Sequence, residues 1–404
     1  MKKIGFYEKI GRIALERITA FIVILSMIAG ISQVSVSAEE KKETDVEVQC
    51  KASVLMEASS GTVIKSNNEN EKLSPASITK IMTMILIFDA IHSGKIKLED
   101  MATTSAHAKS MGGSQVFLEE GEQQSVETLI KCIIIASGND ASVTMAEHIA
   151  GSEDEFVKMM NERAQGLGMK NTHFIDCCGL TDSDDHYTTA MDVAIMSREL
   201  ITKYPEVFQY STIWMESFTH KTKKGESEFM LSNTNKLLKT NQYVKGLKTG
   251  STSKAKYCVS TVAEKDGVEL IAVIMAAPDY KARFAEAQKL INYGFSNCKV
   301  YKDEKNHVKE VNINGGRKGT ASVKNNKFSF VDTEGKDLSK MKTEVKMNQQ
   351  INAPIKKGDV VGKIEYTLDG KKIGETNIVS DENVKKADYK FTFVNMLRYL
   401  LQIS

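Results

Sequence analysis

A mixed α/β or α+β domain, then a small all-β domain and a C-terminal amphipathic helix, is the architecture that this 404-residue sequence predicts. Three observations lead to it. From about residue 50 to 297, strand-like and helix-like segments alternate. After Cys298 the pattern becomes short β-like runs separated by "INGG", "KNNK", "IKKGD" and "LDGKK". In residues 382–404, Tyr389, Phe393, Met396, Leu397 and Leu400 fall on one helical face, while Lys385, Lys386, Lys390 and Arg398 supply positive charge.

At the N-terminus, Lys2, Lys3, Lys9, Arg12 and Arg17 mark a basic start, an apolar stretch runs from Ile18 to Ile31, and "VSAEE" follows. This is the pattern of a secretory signal over residues 1–38, cleaved after Ala38. An uncleaved anchor is the alternative, disfavoured because the apolar run is shorter than the roughly 20 residues a spanning helix needs. Either way the bulk of the chain is expected outside the cytoplasm.

"ASVLMEASSGTVIKSNN" reads as a hairpin turning at Ser60-Gly61, and "ITKIMTMILIFDAIHSG" as a long helix ended by Gly94. "SVETLIKCIIIASGNDASVTMAEHIAG" predicts two helices broken at Ser137-Gly138-Asn139, and "EDEFVKMMNERAQGLG" an amphipathic helix closed by Gly166 and Gly168. Further on, two β-rich runs meet at Asp266-Gly267, a hairpin signal, and "YKARFAEAQKLINYGF" returns to helical periodicity. The terminal helix suits the headgroup region of an anionic membrane; a helix docked on the β domain is the alternative.

Lysine plus arginine number 54 against 52 for aspartate plus glutamate, so no bulk charge argues for nucleic acid as a partner. Six cysteines are too sparse for a disulfide framework. Cys132 and Cys258 lie in apolar surroundings and read as buried thiols; no disulfide is expected to be required, and the Cys177-Cys178 pair has no assignment.

In "SPASITKIMTMILIF" a lysine enters what reads as a core helix. Ser74 suits the N-cap and Pro75 the first helical position, which places Ser77 in the first turn with its backbone N–H free of an intrahelical partner. Spacing of three sets Ser77 and Lys80 on one face. Burial of that face would depress the lysine pKa, and a neutral amine can take a serine proton. The tetrad alone is weak: Ser251-Lys254, Ser253-Lys256, Ser296-Lys299 and Ser339-Lys342 repeat it. Its order with two later stretches is not. "SGND" follows 60 residues after Ser77, "KTGST" a further 111 after Ser137, and Ser-x-x-Lys, Ser-x-Asn, Lys-Thr-Gly is the ordered signature of serine β-lactamases and penicillin-binding proteins.

Through "SPASITKIMT", "SGNDAS" and "GLKTGST", the chain resembles the D-alanyl-D-alanine carboxypeptidase family of low-molecular-mass penicillin-binding proteins. "NERAQGLGMKNTHF", "GLTDSDDHYTTAMDVA", "NTNKLL" and "ARFAEAQKLINYGF" are similar to that family's connecting segments. The resemblance implies an α+β catalytic domain over residues 39–297, with an antiparallel sheet flanked by helices, a β-rich domain over 298–381 and an anchor helix over 382–404. It implies peptidoglycan stem peptides ending in D-Ala-D-Ala as substrate, β-lactams as covalent inhibitors, a membrane surface as partner for the last helix, and no cofactor or metal.

On that pattern Ser77 is the nucleophile, Lys80 its base, and Ser137 with Lys248 a proton relay to the leaving amine. Asn139 holds the substrate amide or the Lys80 ammonium. The backbone N–H groups of Ser77 and Ser251 make the oxyanion hole, and Lys248, Thr249 and Gly250 receive an extended peptide. Arg283 is either a carboxylate-placing arginine or a charge on the polar face of the last helix of the domain. Asn235 reads as structural, holding a turn.

The histidines lack zinc-type spacing, and no G-x-S-x-G elbow occurs. A class A β-lactamase is disfavoured because "HFIDCCGLTDSDDHYTT" contains no glutamate for deacylation, and a large transpeptidase because the segment before Ser77 is short for an extra domain. A non-catalytic wall-binding protein of the same fold is the alternative of another class.

Overall fold

The computed structural model describes residues 46–223 and 225–401. The segment read as a secretory signal lies outside the described residues.

Strands β1 (Ala52–Glu57) and β2 (Val63–Asn67) form the hairpin expected at Ser60-Gly61, with Gly61 left-handed at φ 74°. A 3-10 turn over Ala76–Thr79 leads into α1 (Lys80–His92), followed by α2 (Val126–Ile135), α3 (Asn139–Ala150), α4 (Glu153–Gly166) and α5 (Ala190–Lys203). Then come β3 (Val244–Thr252), β4 (Lys256–Lys265), β5 (Val268–Ala277) and α6 (Ala282–Asn297). The five strands make one antiparallel sheet in the order β2-β1-β5-β4-β3. Asp266 and Gly267, both left-handed, turn β4 into β5.

Strand alternation divides the core in two. Val54, Met56, Ile271 and Val273 pack with Ile81, Ile85 and Ile133 of the helical layer, while Leu55, Leu270 and Ile274 pack with Phe284, Ala287, Leu290 and Ile291 of α6. Each of these side chains other than Ala287 is worth roughly 1.5–3 kcal/mol in burial, so the sheet is held from both faces. Helix α1 is the central member of the helical layer, with every residue from Lys80 to Phe88 buried. Lys80 therefore reaches the interior simply by being the first residue of a helix that is buried all round.

The entry into α1 differs from the sequence expectation. Pro75, not Ser74, precedes the 3-10 turn; it has αR angles (φ −78°, ψ −22°) and makes no side-chain cap bond. Ala76 is left-handed at φ 48°. The chain tightens into a 3-10 turn before the α-helix begins, so Ser77 sits ahead of α1 rather than inside its first turn.

After Asn297, β6 (Lys299–Asp303), β7 (Glu310–Asn312), β8 (Thr320–Asn325), β9 (Phe328–Asp332), β10 (Lys342–Met347), β11 (Val360–Leu368) and β12 (Lys371–Ser380) build a small all-β domain. Strand β6 pairs with β9, and the other five form a sheet in the order β7-β8-β12-β11-β10. Its core includes Val311, Val323, Ile364, Tyr366 and Ile378. Tyr366 stacks on Phe328 with centroids 3.7 Å apart and donates its hydroxyl hydrogen to Asp303 Oδ2 at 3.0 Å.

The last helix, α7 (Tyr389–Leu400), starts later than the expected span of 382–404. Val384 and Lys386 are held in bridges to Ile355 and Gly316, and Asp388 caps the helix by accepting from the N–H of Phe391 at 2.8 Å. Lys385 and Lys386 thus precede the helix rather than lying on it. Tyr389, Phe393, Met396, Leu397 and Leu400 are all exposed, from 39% to 84%, so this face of α7 is not docked on the β domain, which meets the helix at its first turn, where Arg317 lies 5.5 Å from the Phe391 ring. Among the described residues no helix is long and apolar enough to cross a membrane.

Candidate active site

Three separate parts of the chain converge on the Lys80 amine. Its Nζ lies 2.6 Å from Asn139 Oδ1, 2.7 Å from the carbonyl oxygen of Cys178 and 3.1 Å from Ser77 Oγ. The amide oxygen and the carbonyl can only accept, so two hydrogens of the amine are committed to them. The remaining tetrahedral position faces Ser77. In the neutral amine that position is a lone pair aimed at the serine hydroxyl; in the ammonium it is a third hydrogen.

Burial favours the first. Lys80 is fully buried, and desolvation pulls its pKa below the ordinary 10.5, opposed by negative groups that include Asp176 and Asp140. Behind the amine, a cavity of ≈ 10 Å³ lined by Ile81, Met84, Ile134, Leu200 and Leu247 has no room for bulk water. Ser77 itself is only half-buried, so a ligand reaches it where none reaches Lys80 directly.

Ser137 stands in the loop between α2 and α3, left-handed at φ 63°. Its Oγ accepts from Lys248 Nζ at 2.8 Å, and the same amine donates to the carbonyl of Thr249 at 3.0 Å. Lys248 is 3% exposed, and burial, followed by the positive charges of Lys80 and Arg283, drives its pKa well down. Two amines thus share one desolvated pocket, and each disfavours the charge on the other.

Lys248 and Thr249 lie on β3, the edge strand of the sheet, with Thr249 donating to Thr234 Oγ1 at 2.8 Å. Gly250 makes room for the protein's own 3-10 turn: a Cβ there would come within 2.8 Å of the Pro75 carbonyl and 3.0 Å of the Ser77 nitrogen. The edge strand and the turn carrying Ser77 therefore touch backbone to backbone. Ser251 is exposed beside them. Arg283 is 4% exposed, which rejects the reading of a solvated charge on α6. Its Nη1 donates to the carbonyls of Gly250 (3.2 Å) and Cys258 (3.4 Å), among the rings of Tyr257, Tyr280 and Phe284. Asn235 donates to Thr261 Oγ1 and accepts from the N–H of Leu237, holding a turn as expected.

Several contributors escaped sequence reasoning. Asp140, next to Asn139, is buried and accepts from the N–H groups of Val116 and Leu118, fixing a loop whose Gly112 carbonyl accepts from Asn139 Nδ2 at 2.7 Å. Asp176 accepts from the N–H groups of Cys178, Gly179 and Thr181 and so shapes the loop whose Cys178 carbonyl meets Lys80. An acidic residue directly after Asn139 was the available signal for Asp140; Asp176 lies outside the three motifs. Thr234, partner of Thr249, gave none. All six cysteines are free thiols, with Cys177 and Cys178 fully buried.

The family model described as D-alanyl-D-alanine carboxypeptidase matches residues 37–279. The chain belongs to the D-alanyl-D-alanine carboxypeptidase family. A second model, penicillin-binding protein 5, C-terminal domain, matches residues 295–386. The chain is 42% identical over 352 residues to the D-alanyl-D-alanine carboxypeptidase DacF of Bacillus subtilis, covering 86% of this chain and 89% of the relative. It is 35% identical to DacC of Escherichia coli, covering 85% and 86%. Penicillin-binding protein 5 from Haemophilus influenzae shares the fold at a TM-score of 0.69, with 33% identity, over 85% of this chain and 100% of that one. Membership makes the chain a serine-type peptidase with a catalytic domain followed by an all-β domain.

The Lys80 shift carries a prediction about stability. Between the lowered folded value and 10.5 the unfolded chain binds more protons at this group than the folded one, so the group's contribution to stability rises with pH through that window. Lys80→Met removes this dependence. Its stability advantage over the natural chain, measured by urea unfolding, is expected to be largest at acid pH and to shrink as pH climbs toward 10.5.

Proposed function

We propose that the chain, as a serine-type D-alanyl-D-alanine carboxypeptidase, removes the terminal D-alanine from peptidoglycan stem peptides through an acyl-enzyme on Ser77. The observation that carries this is the Lys80 amine, 3.1 Å from Ser77 Oγ with its other two hydrogens bound to obligate acceptors.

Ser77 Oγ attacks the carbonyl carbon of the penultimate D-alanine and its proton passes to the Lys80 lone pair. The backbone N–H groups of Ser77 and Ser251 receive the oxyanion as it forms. The intermediate collapses, the C–N bond breaks, and the leaving amine takes its proton by way of Ser137 and Lys248, which stand 2.8 Å apart. Water then attacks the ester and restores the Ser77 hydroxyl. Lys248, Thr249 and Gly250 line the edge along which the peptide lies; Lys248 offers N–H donors there, and the positive charge of Arg283 behind it attracts the terminal carboxylate. Asn139 serves Lys80 rather than a substrate amide in the free enzyme, because its Oδ1 is taken.

Penicillins acylate the same serine. The loop over 173–189 offers no glutamate to activate a deacylating water, so the penicilloyl ester is expected to persist, which favours a penicillin target over a β-lactamase.

In this reading residues 1–38 direct export, 39–297 form the catalytic domain, 298–381 the small β domain and 382–404 the anchor. The enzyme works on the outer face of the cytoplasmic membrane. The exposed apolar face of α7, beside Lys390 and Arg398, supports surface attachment through that helix.

Fluorescent penicillin is expected to label the natural chain at one peptide, containing Ser77, and to leave Ser77→Ala unlabelled. Labelling that survives Ser77→Ala would overturn the nucleophile assignment. Deletion of residues 389–404 is expected to move the protein from the membrane to the soluble fraction with penicillin labelling retained; persistent membrane association would assign attachment to another segment.

A further inference from the structure

His186 is 1% exposed, and the mechanism above gives it no task. It belongs to a strap, residues 176–188, that lies along the turn carrying Ser77 and is tied to it at several points. The Cys177 carbonyl accepts from Thr83 and the Cys178 carbonyl from Lys80. Thr188 and Leu73 exchange both backbone hydrogen bonds, at 2.8 and 2.9 Å. Gly179, left-handed at φ 75°, passes so close that a Cβ would fall 1.8 Å from the Ala76 carbonyl oxygen and 2.7 Å from Thr79 Oγ1.

The histidine's two nitrogens fix a direction for the hydrogen bonds that leave it. Nδ1 accepts from the N–H of Ile175 at 3.2 Å, so in the neutral ring the hydrogen is on Nε2. Burial holds the imidazole below its ordinary range, in that neutral form. Nε2 then donates to Thr79 Oγ1 at 2.9 Å, and Thr79, its oxygen occupied as acceptor, donates its own hydrogen to the Ala76 carbonyl at 2.8 Å. Ala76 is the left-handed residue immediately before Ser77. A non-glycine residue in that region costs of order 1 kcal/mol or more and persists only where its surroundings fix it.

We propose that His186, acting through Thr79 and the Ala76 carbonyl, is a positioning residue that holds the strained turn and so aims Ser77 Oγ at the substrate carbonyl and at Lys80. This rests on reading Ser77 as the nucleophile. The chain His186, Thr79, Ala76 contacts no substrate. Its loss leaves binding intact and reduces the fraction of bound complexes in an attacking geometry.

The test is the saturation kinetics of Ser77 acylation by a fluorescent penicillin, which separates the maximal rate constant from the half-saturating concentration. Folded protein in each sample is counted by thermal melting. Thr79→Val, which removes the hydroxyl at nearly constant shape, and His186→Leu are each expected to lower the maximal rate roughly 10- to 100-fold, the penalty typical of small misplacements, with half-saturation unchanged. Thr79→Ser, which restores the hydroxyl, is expected to recover most of that rate. The double variant Thr79→Val/His186→Leu is expected to be no slower than the slower single variant, since both cut one chain.

An unchanged maximal rate per folded molecule in Thr79→Val, or a double variant whose loss is the product of the two singles, overturns the proposal. A rise in half-saturation with no change in rate overturns it as well. Thr79→Val carries the test alone if His186→Leu does not fold. Absence of any adduct on Ser77 in the natural chain would instead refute the nucleophile reading on which the proposal stands.

Discussion

The amine of Lys80, buried at the start of a helix with no solvent on any side, is the constraint around which the catalytic domain is arranged. A charge placed there without partners would cost several kcal/mol. The fold answers with two acceptors from distant parts of the chain, Asn139 Oδ1 and the Cys178 carbonyl, which satisfy the amine in either protonation state. Each acceptor is in turn held by a buried carboxylate, Asp140 through the Val116 to Leu118 backbone and Asp176 through the Cys178 to Thr181 backbone. The second amine, Lys248, 2.8 Å from Ser137, makes the charged state of either lysine harder to reach. Desolvation and mutual repulsion thus act together toward a neutral amine beside Ser77, which is what the proposed acylation requires.

The same region stores backbone strain. Ala76 and Ser137, one residue before Ser77 and two before Asn139, are both left-handed without being glycine. Each is locked by contacts on more than one side: Ala76 by Thr79 and the passing Gly179, and the Ser137 loop by Lys248 and by the bond from Asn139 N–H to the Ser114 carbonyl. Strain of this kind survives where rigid elements surround it, here α1, α2, α3 and the edge strand β3.

Much of this was legible in the text of the chain. Helical spacing set Ser77 near Lys80, the Ser-Gly-Asn step broke α2 from α3, and Asp266-Gly267 announced the β4-β5 turn, because each depends on local geometry that side chains encode directly. The entry to α1 departs from the sequence pattern: Ser74 and Pro75 form an acceptable cap pair, while the 3-10 turn that forms instead lies against the strap and Gly250. The Cys178 carbonyl could not be found at all: a backbone acceptor has no side-chain signature. The start of α7 shifted to Tyr389 because Val384 and Lys386 pair with the β domain, a tertiary claim on residues whose periodicity alone was helical.

The protonation state of Lys80 decides whether Ser77 has a base beside it. Titration of the lysine side chains by nuclear magnetic resonance, with isotope-labelled Nζ and Cε assigned through Lys80→Met and Lys248→Met, measures it directly. Lys80 is expected to titrate below the ordinary 10.5, and Lys248, driven further down, to move back toward it when Lys80 is replaced, as the neighbouring positive charge is lost. A Lys80 that titrates at 10.5 would contradict a buried amine poised to take the Ser77 proton.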